Sequence, residues 1–136
     1  MSSRSVNTGK MLGLRVLLCM ANEEEATTLA RALKSSGLDA LVAHSINGAI
    51  RVIQRESPQA LLVEIGLDHF DGFRVAKTAI GQVHATFLIS GRKLTLMEDV
   101  EVLKVGAKET FYKPVNANTI AASVTGACGP ETRDGL

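Results

Sequence analysis

The chain has 136 residues, of which 46% are hydrophobic and 21% charged, and its formal net charge is +1. That length fits one domain whose core needs neither disulfide nor metal, and the charge balance excludes both a strongly basic nucleic-acid surface and an acidic solvating tail. Cys19 sits inside an apolar run and Cys128 near the C-terminal end, so the two read as separate thiols in a reducing compartment.

Residues 1–13 read as a disordered lead. Basic residues precede the apolar segment, but Arg15 interrupts it and no small-residue cleavage site follows, so a signal peptide is not expected. No run approaches the ~20 apolar residues of a membrane span, and the expected location is cytoplasmic. Arg15 to Cys19, RVLLC, reads as the first strand. Asn22 then caps a helix, Glu25 completes a capping-box spacing, and three successive glutamates suit the positive end of the helix dipole. Ala26, Leu29, Ala30 and Leu33 share one helical face, and Gly37 marks the stop. Leu38 to Ala43 is a weaker strand suited to a sheet edge. Ser45 caps a second helix that turns Ile46, Ala49, Ile50 and Ile53 inward and ends at Ser57-Pro58.

The next stretch, QALLVEIGLDHFDGF, organises the rest. Ala60 to Val63 is a continuous apolar run, the mark of a strand buried on both faces, and it delivers the carboxylate of Glu64 to the sheet's C-terminal edge. Asp71 caps a third helix expected to bury Phe73, Ala76 and Ile80 and to stop near Gly81. Ala85 to Ile89 is another buried strand, ending at Ser90-Gly91. Thr95 and Glu98 form a second capping box that opens a helix through Val105, terminated by Gly106. Thr110 to Tyr112 is a short last strand closed by Lys113-Pro114, and a final helix covers 116–127. Residues 128–136 read as a tail or the start of a linker.

Strand then helix, repeated along the chain, requires an α/β fold with a parallel sheet, helices on both faces and right-handed crossovers. Glu64, Ser90 and Lys113 then converge at one sheet edge, where open α/β sheets place their sites. His44, His69 and His84 are scattered among loops and offer no ligand motif. Between Lys113 and Glu131 there is no charged residue, so the last helix is expected to be covered on more than one side, with Ile120 and Val124 at a contact surface. Glu101, Lys104 and Lys108 would form the polar rim of that surface.

The stretch PQALLVEIGLDHFDGF with its Asp71-Gly72, then LISG, then VGAKETFYKP, resembles the receiver domain of two-component response regulators across 14–127. The resemblance implies a flavodoxin-like, doubly wound, five-stranded sheet of order 2-1-3-4-5 with five helices. It places the phosphoaccepting aspartate at position 64, which is glutamate here. The acidic pair that holds magnesium corresponds to Met20 and Ala21, neither of which offers the oxygen that a hard cation takes. The aromatic residue that moves during activation corresponds to Thr110. Ser90, Gly91 and Lys113 match the family's hydroxyl, small residue and lysine, and Pro114 matches a proline that usually follows a cis peptide.

The expected function is therefore a phosphorylation-independent pseudo-receiver, a regulatory protein-interaction module that is not an enzyme, takes no cofactor and has lost magnesium binding. Its expected partners are another protein or a fused effector domain, or a second copy through the face of the fourth helix, fifth strand and fifth helix, with no nucleic acid and no membrane. One alternative makes Glu64 a phosphomimic that reaches both Ser90 and Lys113 and locks the active state. A static Glu64–Lys113 ion pair is preferred, because the acids that compete for the lysine are missing. An alternative of another class is a ligand-binding or enzymatic flavodoxin-like domain. Against it stand the acidic MANEEE loop, which repels phosphate, and the lack of a histidine assigned to activate Ser90.

Overall fold

Strands that are apolar on both sides must be covered by helices on both sides, and the chain is built to that requirement. The structure, a computed structural model, describes residues 13–129. The strands are β1 (Arg15–Cys19), β2 (Asp39–Ala43), β3 (Ala60–Ile65), β4 (Ala85–Ser90) and β5 (Glu109–Tyr112). They alternate with α1 (Glu23–Ser35), α2 (Ile46–Glu56), α3 (Gly72–Ala79), α4 (Leu96–Lys104) and α5 (Ala117–Cys128). All strand pairs are parallel and the order is β2-β1-β3-β4-β5, the flavodoxin-like arrangement expected. The lead, apart from Gly13, and the tail beyond Gly129 lie outside the described residues.

Every residue of β3 and β4 is buried. Because side chains alternate across a strand, Leu18, Leu62, Phe87 and Ile89 face α1 and α5, while Leu17, Leu61, Val63 and Leu88 face α2 and α3. Phe87 and Phe111 stack with ring centroids 6.0 Å apart in the first of these layers. The register aligns Glu64 with Ile89, Ile65 with Ser90, and Ser90 with Tyr112, so the strand ends form one edge.

α1 buries Ala26, Leu29, Ala30 and Leu33, as its spacing predicts. It ends in a Schellman turn: Leu38 N–H donates to the Leu33 carbonyl and Gly37 N–H to that of Lys34, with Gly37 at φ 94°. At its start Asn22 accepts from Glu25 N at 2.9 Å, but the Glu25 carboxylate does not return to complete the box. In α2 the inward residues are Ala49 and Ile53, while Ile46 and Ile50 are half-buried.

α3 departs from the expected phase. It buries Gly72, Val75, Ala76 and Ala79, leaves Phe73 half-buried and ends before Ile80, which is 56% exposed. The cause is Gly72: a Cβ there would lie 1.9 Å from the Glu64 carbonyl oxygen, so the face that starts at this glycine is the one pressed against the sheet. α5 also differs. It buries one stripe, Ile120, Ala121 and Val124, and exposes Ala122, Thr125 and Gly126. The helix lacks charge because small residues serve on its solvent side. Ile120 and Val124 are fully buried in the core and cannot form the contact surface expected of them. Among the described residues no helix is long and apolar enough to cross a membrane.

Candidate functional site

β3 runs one residue past Glu64, so this carboxylate sits inside the strand and is only 2% exposed. It shares the face of Ala60 and Leu62, and therefore points toward α1 and away from α3. One oxygen, Oε1, accepts from the backbone N–H of Ala21 at 3.1 Å. The other, Oε2, accepts from Lys113 Nζ at 2.6 Å, and the same ammonium donates to Glu25 Oε1 at 2.7 Å. The lysine is thus held between two carboxylates, one from β3 and one from the first turn of α1. Burial alone would lower the Lys113 pKa, but hydrogen bonds to Glu25 and Glu64 and their charges outweigh it and leave the group raised. Cys19 lies nearby in β1; burial first, and then the Glu64 charge, push its thiol up to about 12.

Glu25 is a site residue that sequence reasoning assigned only to capping. Its local spacing fits a capping box, and nothing local reveals that Lys113, 88 positions away, takes the carboxylate instead. Asn22 Oδ1 is occupied by the Glu25 amide, and Glu23 lies 3.6 Å from His44 Nε2. Met20 is 2% exposed and packs in the core, while Ala21 contributes its amide.

Ser90 is fully buried but turned away from Glu64. Its hydroxyl donates to the Arg92 carbonyl at 2.6 Å and accepts from Arg92 N at 3.2 Å. Arg92 is the second residue the sequence reading missed. Its guanidinium donates to the Gly66 carbonyl at 3.1 Å, to the Lys93 carbonyl at 3.0 Å, and to both Glu98 oxygens at 2.9 and 2.8 Å. It therefore ties the β3–α3 loop to the start of α4. Glu98 also completes the expected capping box with Thr95, and its carboxyl is held down at about 2, first by the Arg92 hydrogen bond and then by the Thr95 amide.

The remaining candidates line the edge without joining this network. Gly91 is exposed, Thr110 is half-buried opposite Leu88, and Pro114 is exposed after a cis Lys113–Pro114 peptide. Glu101 faces Lys77 at 3.2 Å and Lys104 at 3.8 Å, and Lys108 is exposed. His44, His69 and His84 do not converge, and among the described residues no group of three or more metal-ligating side chains forms.

No family model matches the chain, and neither does any curated protein. Solved structures do match. A CheY-like response regulator receiver domain protein from Methanospirillum hungatei is 17% identical, with 88% of this chain and 97% of that one covered and a TM-score of 0.77. The signal receiver domain of a modulated diguanylate cyclase from Desulfovibrio desulfuricans is 26% identical over 88% and 97% of the two chains, with a TM-score of 0.76. The N-terminal receiver domain of RstA from Klebsiella pneumoniae is 23% identical over 84% and 97%, with a TM-score of 0.72. The chain thus has the receiver-domain fold of two-component signalling.

Proposed function

We propose that the chain is a pseudo-receiver, a regulatory module that works by protein contact and independently of phosphorylation. The observation that carries this reading is the Glu25–Lys113–Glu64 bridge. Phosphoryl transfer depends on positioning and on neutralising charge, tasks in which the metal is central. Here the only cation within hydrogen-bonding reach of Glu64 among the described residues is the tethered ammonium of Lys113. The donor set does not fit magnesium: Met20 and Ala21 bring no side-chain oxygen, and both carboxylates are already bonded to Lys113. An incoming phosphate would meet two carboxylates and one ammonium that both already share.

A phosphomimic would need Glu64 to engage Ser90 as well as Lys113, whereas the Ser90 hydroxyl is bonded to Arg92. The static ion pair is accordingly the better account. An enzymatic or cofactor-binding role finds no support in the same geometry, since the serine points into its own loop and α1 opens with three carboxylates. The free thiols accord with a cytoplasmic setting.

The contact surface is assigned to α4. This helix has no buried residue: Leu96, Met97 and Leu103 are at least 80% exposed and Val100 is 49% exposed, and Tyr112 of β5 is another exposed large apolar side chain at 51%. Its carboxylates Glu98 and Glu101 turn inward to Arg92 and Lys77. α4 is amphipathic with its apolar stripe outward, the orientation suited to a protein partner or a second copy. Glu101, Lys104 and Lys108 stay in the role of polar rim.

The test is incubation with magnesium and a small phosphodonor, read by intact mass. A chain combining Met20→Asp, Ala21→Asp and Glu64→Asp serves as positive control. The control should gain a phosphate while the natural chain keeps its mass. A phosphorylated natural chain would overturn the reading.

A further inference from the structure

The two edges of the sheet are guarded unequally. An edge strand leaves N–H and C=O groups with no strand to pair with, and charged side chains, proline or a covering segment normally blunt it. β5 exposes Glu109 and Tyr112 and runs directly into Lys113–Pro114. β2, at the opposite edge, reads DALVA, and its one charge, Asp39, accepts from Arg15 Nε at 3.0 Å. Asp39 N–H donates to the Leu14 carbonyl and the Ala43 carbonyl accepts from Met20 N–H, so residues 39, 41 and 43 face β1. The alternation of a parallel ladder then turns the N–H and C=O of Ala40 and Val42 the other way, where β2 has no neighbouring strand. Ala40 is buried, and half-buried Val42 is the point at which this edge can be reached.

A groove of about 330 Å³ lies beside Val42. Val42 and Ala43 form its strand side, Gly48 and Val52 of α2 its helix side, and Arg51 and Arg55 also line it. Both arginines are exposed, and among the described residues neither guanidinium has an ion-pair partner. The one carboxylate in the lining, Glu56, already accepts from Arg15 at 3.2 Å, and His44 Nε2 stands 3.6 Å from Glu23. The unmatched charge is therefore positive.

We infer that this groove takes an extended acidic segment of a partner protein, which pairs with β2 at Val42 and sets carboxylates against Arg51 and Arg55. The spacing supports it. Four residues of helix advance about 6 Å, and alternate residues of a strand, which share one face, lie about 6.6 Å apart. Acids at every second position of an added strand thus match the two arginines, while its backbone meets the unpaired groups of Val42. A small anion would satisfy the guanidiniums alone, and a neutral strand the edge alone. The inference rests on the reading of the chain as a protein-interaction module, and its surface lies at the sheet edge opposite β5.

The test is NMR of the Val42 amide during titration with three peptides. One alternates threonine and glutamate, the second has lysine in place of glutamate, and the third is the glutamate peptide N-methylated at every residue, which keeps its carboxylates and removes its N–H donors. The Val42 amide should shift and gain exchange protection with the first peptide, and the other two should bind at least tenfold more weakly. Arg51→Gln and Arg55→Gln should each weaken binding of the first peptide roughly threefold, and about tenfold together, the range for exposed charge contacts. Equal binding of the lysine peptide would overturn the inference, as would equal binding of the N-methylated one, which needs carboxylates but no strand pairing. A Val42 amide that no peptide moves, or shifts confined to α4, would overturn it too. The phosphodonor experiment reads Glu64 and is unaffected by these outcomes, so failure of the groove and failure of the pseudo-receiver reading are distinguishable.

Discussion

Lys113 and Glu64 are a pair whose two members are unequal. Replacing Lys113 by methionine leaves a carboxylate that is 2% exposed with one backbone N–H and no cation, whereas Glu64→Gln leaves the lysine with Glu25 and some access to water. Removing one partner of a buried ion pair costs about 3–5 kcal/mol, and the full range applies only to the first substitution. Urea unfolding should therefore place Lys113→Met well below Glu64→Gln, for which a loss of no more than about 1 kcal/mol is expected on the scale of partly exposed pairs. Equal losses would mean that the bridge is not organised around the lysine. Cys19 gives a second check on the same residues. With its thiol pushed up to about 12 and no exposed surface, it should remain unlabelled by an alkylating reagent at pH 8 while half-exposed Cys128 reacts, a difference that mass spectrometry resolves. At this scale the sequence revealed Glu64 because it interrupts an otherwise apolar run, and Lys113 because it follows the last strand directly. Glu25 and Arg92 stayed hidden, because the first has a plausible local role and the second lies in a loop with no periodicity.

Among the elements, α4 is the one whose orientation could not be read from its pattern. Apolar spacing identifies a helix and its stripe but not which way the stripe turns, and the usual inference is inward. Here the inward side carries Val102, packed against the core beside Val105, flanked by the Arg92–Glu98 and Lys77–Glu101 pairs. Glu98 is held at about 2, below its ordinary 4.5, so its contribution is present above about pH 4.5 and is lost as pH falls toward 2. Protection of the α4 amides, relative to their intrinsic exchange rates at each pH, should fall in that window, while β3, whose residues are all buried, stays protected. A uniform loss of protection in both elements would show that the effect is not local to Glu98. α3 teaches a related lesson. Phe73 and Ile80 are larger than Val75 and Ala79 and suggest the wrong face, but the close approach at Gly72 sets the phase.

For the molecule as a whole, the doubly buried strands made the sheet, its parallel sense and its flanking helices legible, and the five-strand order followed the resemblance. What composition could not separate was core from surface in the uncharged last helix. Ile120→Ala should cost about 2–5 kcal/mol as a core truncation, whereas Leu103→Ala should leave stability within about 0.5 kcal/mol and act, if anywhere, on association. Chemical denaturation with size-exclusion measurement of each variant distinguishes the two effects.

The bridge at Lys113 also fixes the order in which the chain can be completed. Its carboxylates come from α1 and β3, but its ammonium arrives only after β5. During synthesis the first four strands must wait with a carboxylate at the centre of their sheet and nothing to neutralise it. A nascent chain that stops short of position 113 lacks both this ammonium and α5, whose Ile120, Ala121 and Val124 cover one face of the sheet, and should be held in an expanded, protease-sensitive state until both have emerged.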